Sequence, residues 1–360
     1  MLISGDVLDK KYEVIRILGK GGMGVVYLCK NKRLGNLWAI KEVKQDTKNI
    51  DTFTEANILK DLNHPGIRRI VYTFYANNNF YMVQDYVEGQ TLKEYVKVNG
   101  KMQIEKICNI TCDLCNIVDY LHNLNPSIIY RDIKPSNIMI TTNEKVVLID
   151  FGISKIYKND RSQDTLCAGS NGYAAPEQYG VGKCCKQTDI YGIGMLLYFM
   201  VKGRSPLTGV EPLLDESYEA NFNNDLKIIM QKCVKIDVKD RYTSVETLKN
   251  EILEVIKKEK KEKKMILGDY IISTNIYKKV KTKVTNKIKN KGRIINSNNG
   301  FLYIIVVILA CIYILNGNRR ESDVMNLVDK TELINPIVGS ENIEQGIIKE
   351  FIKSIKESSK

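Results

Sequence analysis

The stretch from Tyr130 to Gly152 limits what this chain can fold into more than any other. It opens with a polar run, Tyr130-Arg131-Asp132-Ile133-Lys134-Pro135-Ser136-Asn137, which precedes a short apolar strand at Ile138 to Ile140. A second strand, Val146-Val147-Leu148-Ile149, then runs into Asp150-Phe151-Gly152. Upstream, Glu13 to Leu18 reads as a strand, followed by Gly19-Lys20-Gly21-Gly22-Met23-Gly24-Val25-Val26-Tyr27, with glycines where backbone must approach something closely. Taken alone that loop is weak, because an ordinary tight hairpin takes glycine for the same reason. The strand Trp38-Ala39-Ile40-Lys41 comes next, and a later helical stretch contains Glu55. A strand lysine and a helix glutamate can pair.

With these pieces in this order, the sequence resembles the eukaryotic-type protein kinases over residues 12 to about 255. The match rests on Gly19, Gly21, Gly24 and Val26 of the Gly-rich loop, Lys41 of the strand, Glu55, Asp132 and Asn137 of the catalytic loop, Asp150 of D-F-G, and Ala175-Pro176-Glu177. The resemblance implies an α+β, bilobal fold. A small β-rich lobe would span about 12–84 and a large, mainly helical lobe about 89–255, within a kinase domain of residues 1–258.

It also implies roles for the site residues, because phosphoryl transfer needs positioning and charge neutralisation more than covalent help. The Gly-rich loop would cover the phosphates of ATP, and Lys41, held by Glu55, would bind its α- and β-phosphates. Asn137 and Asp150 would bind Mg²⁺, or Mn²⁺ in its place, through hard oxygen ligands. Asp132 would accept the substrate hydroxyl proton. Lys134, two residues on, resembles the serine/threonine branch, so protein serine and threonine are the implied acceptors. Leu18, Val26 and Ala39 would lie above the adenine and Met139 below it. The backbone of Asp85 to Val87 would form the hinge, with Gln84 as gatekeeper. Glu177 and Arg241 would form a buried ion pair, and Asp189 would brace the catalytic loop. The sequence departs from the family at Tyr130, where histidine is usual, and at Ser170, where threonine is more common. Arg131 before Asp132 goes with control by phosphorylation of the segment Ile153 to Tyr173. Autophosphorylation in trans, within a homodimer, is expected on Thr165, with Ser162 and Ser170 as further candidates.

Charge is distributed unevenly. Residues 1–250 carry 33 basic and 29 acidic side chains, whereas residues 251–300 carry 14 and 5. After this basic connector, Phe301 to Leu315 is an unbroken run of fifteen apolar residues. At about 1.5 Å per residue the run falls short of a hydrocarbon layer of about 30 Å. The uncharged window is longer, from Ile294 to Asn318, with Arg293 before it and Arg319 and Arg320 after, and Tyr303 and Tyr313 near its ends. A single span at 301–316 is therefore expected. The basic juxtamembrane segment, 259–300, would keep the kinase domain cytoplasmic and leave 317–360 as a short tail outside the cell membrane. Met1 to Lys10 shows no basic, then apolar, leader pattern. Within the connector, Val280, Val284 and Ile288 recur among lysines. That pattern fits a basic amphipathic helix on anionic lipid or, equally, a solvated tether. Nucleic acid is not an expected partner, because Lys278 to Arg293 lacks aromatics and abuts the span. In the outer tail, Ile343, Ile347, Ile348, Phe351, Ile352 and Ile355 are open to two readings, an amphipathic pairing helix or a frayed end.

The nine cysteines do not form a disulfide scaffold. Cys108, Cys112 and Cys115 fall on the apolar face of one helix, and His64 and His122 read as structural. The alternative from another class is a membrane-bound pseudokinase, a docking or sensing module that binds nucleotide without turnover. Lys41, Glu55, Asp132, Asn137 and Asp150, all present, argue against it.

Overall fold

The structure is a computed structural model that describes residues 1–21, 24–44, 54–151, 155–156, 170, 172–180, 182–215, 217, 223–261, 264–265 and 282. The chain divides into two compact units, Met1–Lys258 and Glu259–Lys360. Of the second unit, 259–261, 264–265 and 282 are described, all helical. Among the described residues no helix is long and apolar enough to cross a membrane. The span expected at 301–316, most of the basic connector and the outer tail lie outside the described residues.

The first unit opens with the strands β1 (Val7–Leu8), β2 (Tyr12–Gly21), β3 (Gly24–Asn31) and β4 (Leu37–Lys44). A short helix, α1 (Thr54–Leu59), precedes β5 (Ile70–Ala76) and β6 (Asn79–Asp85). These six strands form one antiparallel sheet in the order β1-β2-β3-β4-β6-β5. The pairing Val7↔Glu13 brings residues before 12 into the sheet. Strand β2 also continues past Leu18, so that Gly21 pairs with Gly24 and the Gly-rich segment is the tip of a long hairpin. Because side chains alternate along a strand, the sheet has two faces with different duties. Tyr27, Ile40, Tyr81 and Val83 enter an outer core with Val14, Val25 and Phe74. Their neighbours Val26, Ala39, Lys41, Met82 and Gln84 take the other face.

The larger part begins with β7 (Gly89–Thr91) and α2 (Leu92–Asn99), whose first turn is closed by a capping box between Thr91 and Glu94. Helix α3 (Ile104–His122) buries Cys108, Cys112 and Cys115 as its apolar periodicity requires. Four short strands follow, β8 (Ile128–Ile129), β9 (Ile138–Thr141), β10 (Val146–Leu148) and β11 (Lys155–Ile156). Strands β7, β9 and β10 form one small sheet, and β8 pairs with β11. Next come α4 (Lys186–Lys202), α5 (Glu211–Leu214) and α6 (Asn224–Cys233). A last helix, α7, starts at residue 245 and runs to the end of this unit.

Helix α4 is the axle of the large core. It is buried without a break from Thr188 to Val201, as expected of a helix apolar on every side. Two of its glycines are demanded by close packing. A Cβ at Gly192 would lie 2.9 Å from the Cβ of Ile133, and one at Gly194 would lie 2.5 Å from the Cβ of Cys233. The first of these contacts seats α4 directly beneath the residue that follows Asp132.

Candidate active site

The loop carrying Asp132 is held from below by a single carboxylate. Asp189, fully buried near the start of α4, accepts hydrogen bonds from the backbone N–H of Tyr130 at 2.9 Å and of Arg131 at 2.7 Å. Its Oδ2 also lies 2.7 Å from His122 Nε2. Arg131 needs this support, because its φ of +70° is a conformation few non-glycine residues adopt. Gln178 adds a bond from Nε2 to the Arg131 carbonyl at 3.0 Å. Tyr130, in the place where histidine is usual, packs edge-on against Phe151 with ring centroids 5.0 Å apart. The departure at 130 thus keeps the packing contact between the catalytic loop and Asp150-Phe151.

Asp132 sits at the centre of a ring of donors. Its Oδ2 accepts from Lys134 Nζ at 2.7 Å and from Asn137 Nδ2 at 2.7 Å. Its Oδ1 accepts from the Ser170 hydroxyl at 2.8 Å, and Lys134 Nζ in turn donates to that hydroxyl at 2.7 Å. A carboxylate offers about four acceptor directions, so three bonds from side chains leave one open on the Oδ1 side. Asn137 gives its amide N–H groups to Asp132, also reaching the Asp132 carbonyl at 3.0 Å, so its oxygen is the atom that the expected cation role would use. Ser170 is the member of this ring least legible beforehand. A contact across 38 residues is set by tertiary structure alone.

Lys41, nearly buried on β4, makes a salt bridge to Asp150 Oδ1 at 3.0 Å. Glu55 falls in α1, but its side chain lies outside what is described, so the expected Lys41–Glu55 pair stays with the sequence reading. Asp150 is approached along a tied backbone. Leu148 N–H bonds to the Gly66 carbonyl at 2.8 Å, Ile149 N–H bonds to the Asn137 carbonyl at 3.1 Å, and Arg68 donates to the Ile149 carbonyl. The Ile149–Asn137 bond joins the two expected cation ligands through one peptide. Arg68 is a site-supporting residue that its sequence position did not signal.

The glycines of the loop divide by cause. Gly24 has φ of +140°, and a Cβ there would stand 1.9 Å from the Glu42 carbonyl oxygen, so the fold itself demands glycine. Among the described residues, added Cβ atoms at Gly19 and Gly21 would meet nothing within 4 Å. Bare, exposed backbone that the protein does not need for its own packing fits a loop meant to lie over phosphates. Beneath it, the expected adenine wall is half-buried at Leu18, Val26 and Met139, while Ala39 is buried. Met139 faces outward because Ile138 and Ile140 on either side enter the core. The hinge residues Asp85 and Val87 are half-buried, and Asp85 is pinned by Arg69 Nε at 2.9 Å.

Among the described residues no group of three or more His, Cys, Asp and Glu could hold a metal. Below the loop, Glu177 is clasped by Arg241 at 2.7 and 2.9 Å and by the Thr188 hydroxyl at 2.8 Å. Burial alone would push the Glu177 carboxyl up, but the guanidinium and hydroxyl outweigh it and hold the carboxyl below its usual range. Ser162 and Thr165 lie outside the described residues.

Comparison with known proteins agrees with this geometry. A family model described as "Protein kinase domain" matches residues 12–262. PknB of Lactococcus lactis, a probable serine/threonine-protein kinase, is 30% identical over 271 residues, covering 70% of this chain and 43% of its own. The serine/threonine-protein kinase PrkC of Bacillus subtilis is 33% identical over 214 residues, 58% of this chain and 33% of its own. The serine/threonine-protein kinase PknB of Mycobacterium tuberculosis is 28% identical over 286 residues, 73% of this chain and 45% of its own. The chain therefore spans less than half the length of these curated relatives.

Proposed function

The chain belongs to the protein kinase family, and from that premise we propose that it is a membrane-anchored kinase that transfers the γ-phosphate of ATP to serine and threonine of proteins. The observation that carries the reading is the ring around Asp132, in which Lys134 touches both the carboxylate and a serine hydroxyl. A hydroxyl already donates to Asp132 Oδ1, and the open direction beside it suits a second, from substrate.

In the proposed reaction each group of the chain has a task. Asp132 receives the proton of the attacking hydroxyl, and Lys134 neutralises charge that develops on the transferred phosphoryl group. Lys41 and the backbone of the Gly-rich loop hold the nucleotide's phosphates, with Glu55 proposed to orient Lys41. Asn137 and Asp150 would hold Mg²⁺, which when bound would neutralise charge on the phosphates. Leu18, Val26, Ala39 and Met139 exclude water from the base, and Asp85 and Val87 present hinge backbone to it.

The uncharged window at 294–318, flanked by arginines, supports a single span at 301–316. For regulation we place autophosphorylation in trans on Thr165. The Ser170 hydroxyl is engaged by Asp132 and Lys134, so Ser170 serves the site rather than the switch.

The full-length protein in detergent, incubated with Mg²⁺ and γ-labelled ATP on a basic protein substrate, is expected to yield phosphoserine or phosphothreonine. Lys41→Met and Asp150→Asn should abolish the label. Nucleotide binding without label in the wild type would replace this reading with the docking module.

A further inference from the structure

Glu42 follows Lys41 on β4, is buried, and turns the opposite way, toward the outer core that holds Tyr27 and Tyr81. Neutral donors close on its carboxylate from both neighbouring strands. Tyr27 of β3 donates to Oε2 at 2.8 Å, and Tyr81 and Asn79 of β6 donate to Oε1 at 2.9 and 2.7 Å. Tyr27 Oη is itself oriented from the far side, where it accepts from the Leu2 backbone N–H at 3.2 Å. Burying a carboxylate is costly, and well-packed apolar residues in the place of a buried charge are often as stable or more so. A fully bonded buried network instead rigidifies its surroundings and specifies one arrangement.

The backbone shows which arrangement is specified here. Val26 faces Lys41 and Val25 faces Glu42, so the returning arm of the Gly-rich hairpin lies directly against these two residues. Gly24, the first residue of that arm, is seated on the Glu42 carbonyl with no room for a Cβ between them. The hairpin tip and Lys41 thus meet at one residue, whose side chain is tied to β3 and β6. A slip or roll of β4 would change the separation of Lys41 from the tip. We propose that Glu42 is a positioning residue for the nucleotide's phosphates, its clamped carboxylate setting the distance between Lys41 and the Gly-rich loop. The inference rests on the ATP reading given above. In that reading the base is held at the hinge, where Asp85 lies four residues along β6 from Tyr81, or about 13 Å. The clamp should therefore matter to the phosphates and not to the base.

The test compares ATP with adenosine, which keeps base and ribose but lacks the phosphates, in calorimetric titrations of the full-length protein in detergent with Mg²⁺. Glu42→Met, close in length and apolar, should bind ATP about tenfold more weakly than wild type, within the roughly hundredfold that a misplacement of about 1 Å can cost. It should bind adenosine as wild type does. If that variant fails to fold, Tyr81→Phe, which removes one donor, must show the same one-sided loss. Unchanged affinity for ATP would overturn the inference. So would equal losses for ATP and adenosine, the mark of a merely structural role. Wild type that binds ATP and transfers phosphate, beside a variant without the one-sided loss, sinks only this inference, whereas wild type that binds no ATP sinks the kinase reading with it.

Discussion

The separate duties proposed for Asp132 and Asp150 accord with their different surroundings. Asp150 is tied to a cation, Lys41, whereas Asp132 is ringed by three donors and keeps one acceptor direction open. Replacing Asp132 by Asn removes the proposed proton acceptor and should lower turnover by roughly 10²–10⁴, the usual worth of a positioned general base. ATP affinity should change little, since Lys41, Asp150 and the Gly-rich loop are untouched. Steady-state turnover beside a nucleotide-binding isotherm checks both halves, and undiminished turnover would refute the role. Single residues of this kind were legible because short fixed spacings carry them. The carboxylate Glu42 was not. It is buried on β4 beneath Tyr27 at 2.8 Å, Tyr81 at 2.9 Å and Asn79 at 2.7 Å, partners drawn from two other strands, β3 and β6. Burial, followed by the bond to Glu42, pushes the Tyr81 phenol up to about 12.

Among the elements, α4 does most to convert packing into site geometry. Asp189 on its first turn holds the catalytic loop, Gly192 lets Ile133 sit against it, and Thr188 bonds Glu177. Asp189 as a brace and His122 as structural are both expected from the sequence, but their mutual contact spans 67 residues and no local pattern announces it. From sequence β2 likewise ends at Leu18, because glycines are poor strand formers and only the pairing with β3 carries the strand on to Gly21. The Glu177–Arg241 pair, with side chains 5% and 0% exposed, gives a measurable consequence. Arg241→Ala strands a buried carboxylate and should cost about 3–5 kcal/mol at neutral pH. Glu177 has its folded value depressed, so its contribution is present above the usual carboxylate range and is lost as pH falls through the folded value. The gap in unfolding midpoint between wild type and variant should therefore be widest near pH 7 and shrink below about pH 4. Denaturant melts across that range test it, and a gap that grows on acidification would contradict the assignment.

On the scale of the whole molecule, the decisive quantity is where the charge lies relative to the apolar run. The connector carries 14 basic side chains against 5 acidic immediately before a window without a single charge. Two modes of membrane attachment follow from that layout, and they differ in their response to salt. Lysines drawn to anionic lipid are screened once the Debye length shrinks to about 3 Å near 1 M salt. An apolar span held by hydrocarbon is not, and it yields only to detergent. We expect the full-length protein to stay with sedimented membranes through 1 M salt and carbonate, and to leave them in detergent. A chain lacking residues 294–360 should sediment at low salt alone, through its connector. Because lysine- and arginine-rich flanks stay on the cytoplasmic side, protease added outside intact cells should trim a tag placed after residue 360 and spare the catalytic unit. Release of the full-length protein by salt would reduce the anchor to electrostatics, and a protected tag would reverse the orientation. The catalytic unit could be read from motif spacing because its chemistry fixes residues in place. The proposed anchor reads only as a length and a charge gradient, which specify a medium and leave the packing open.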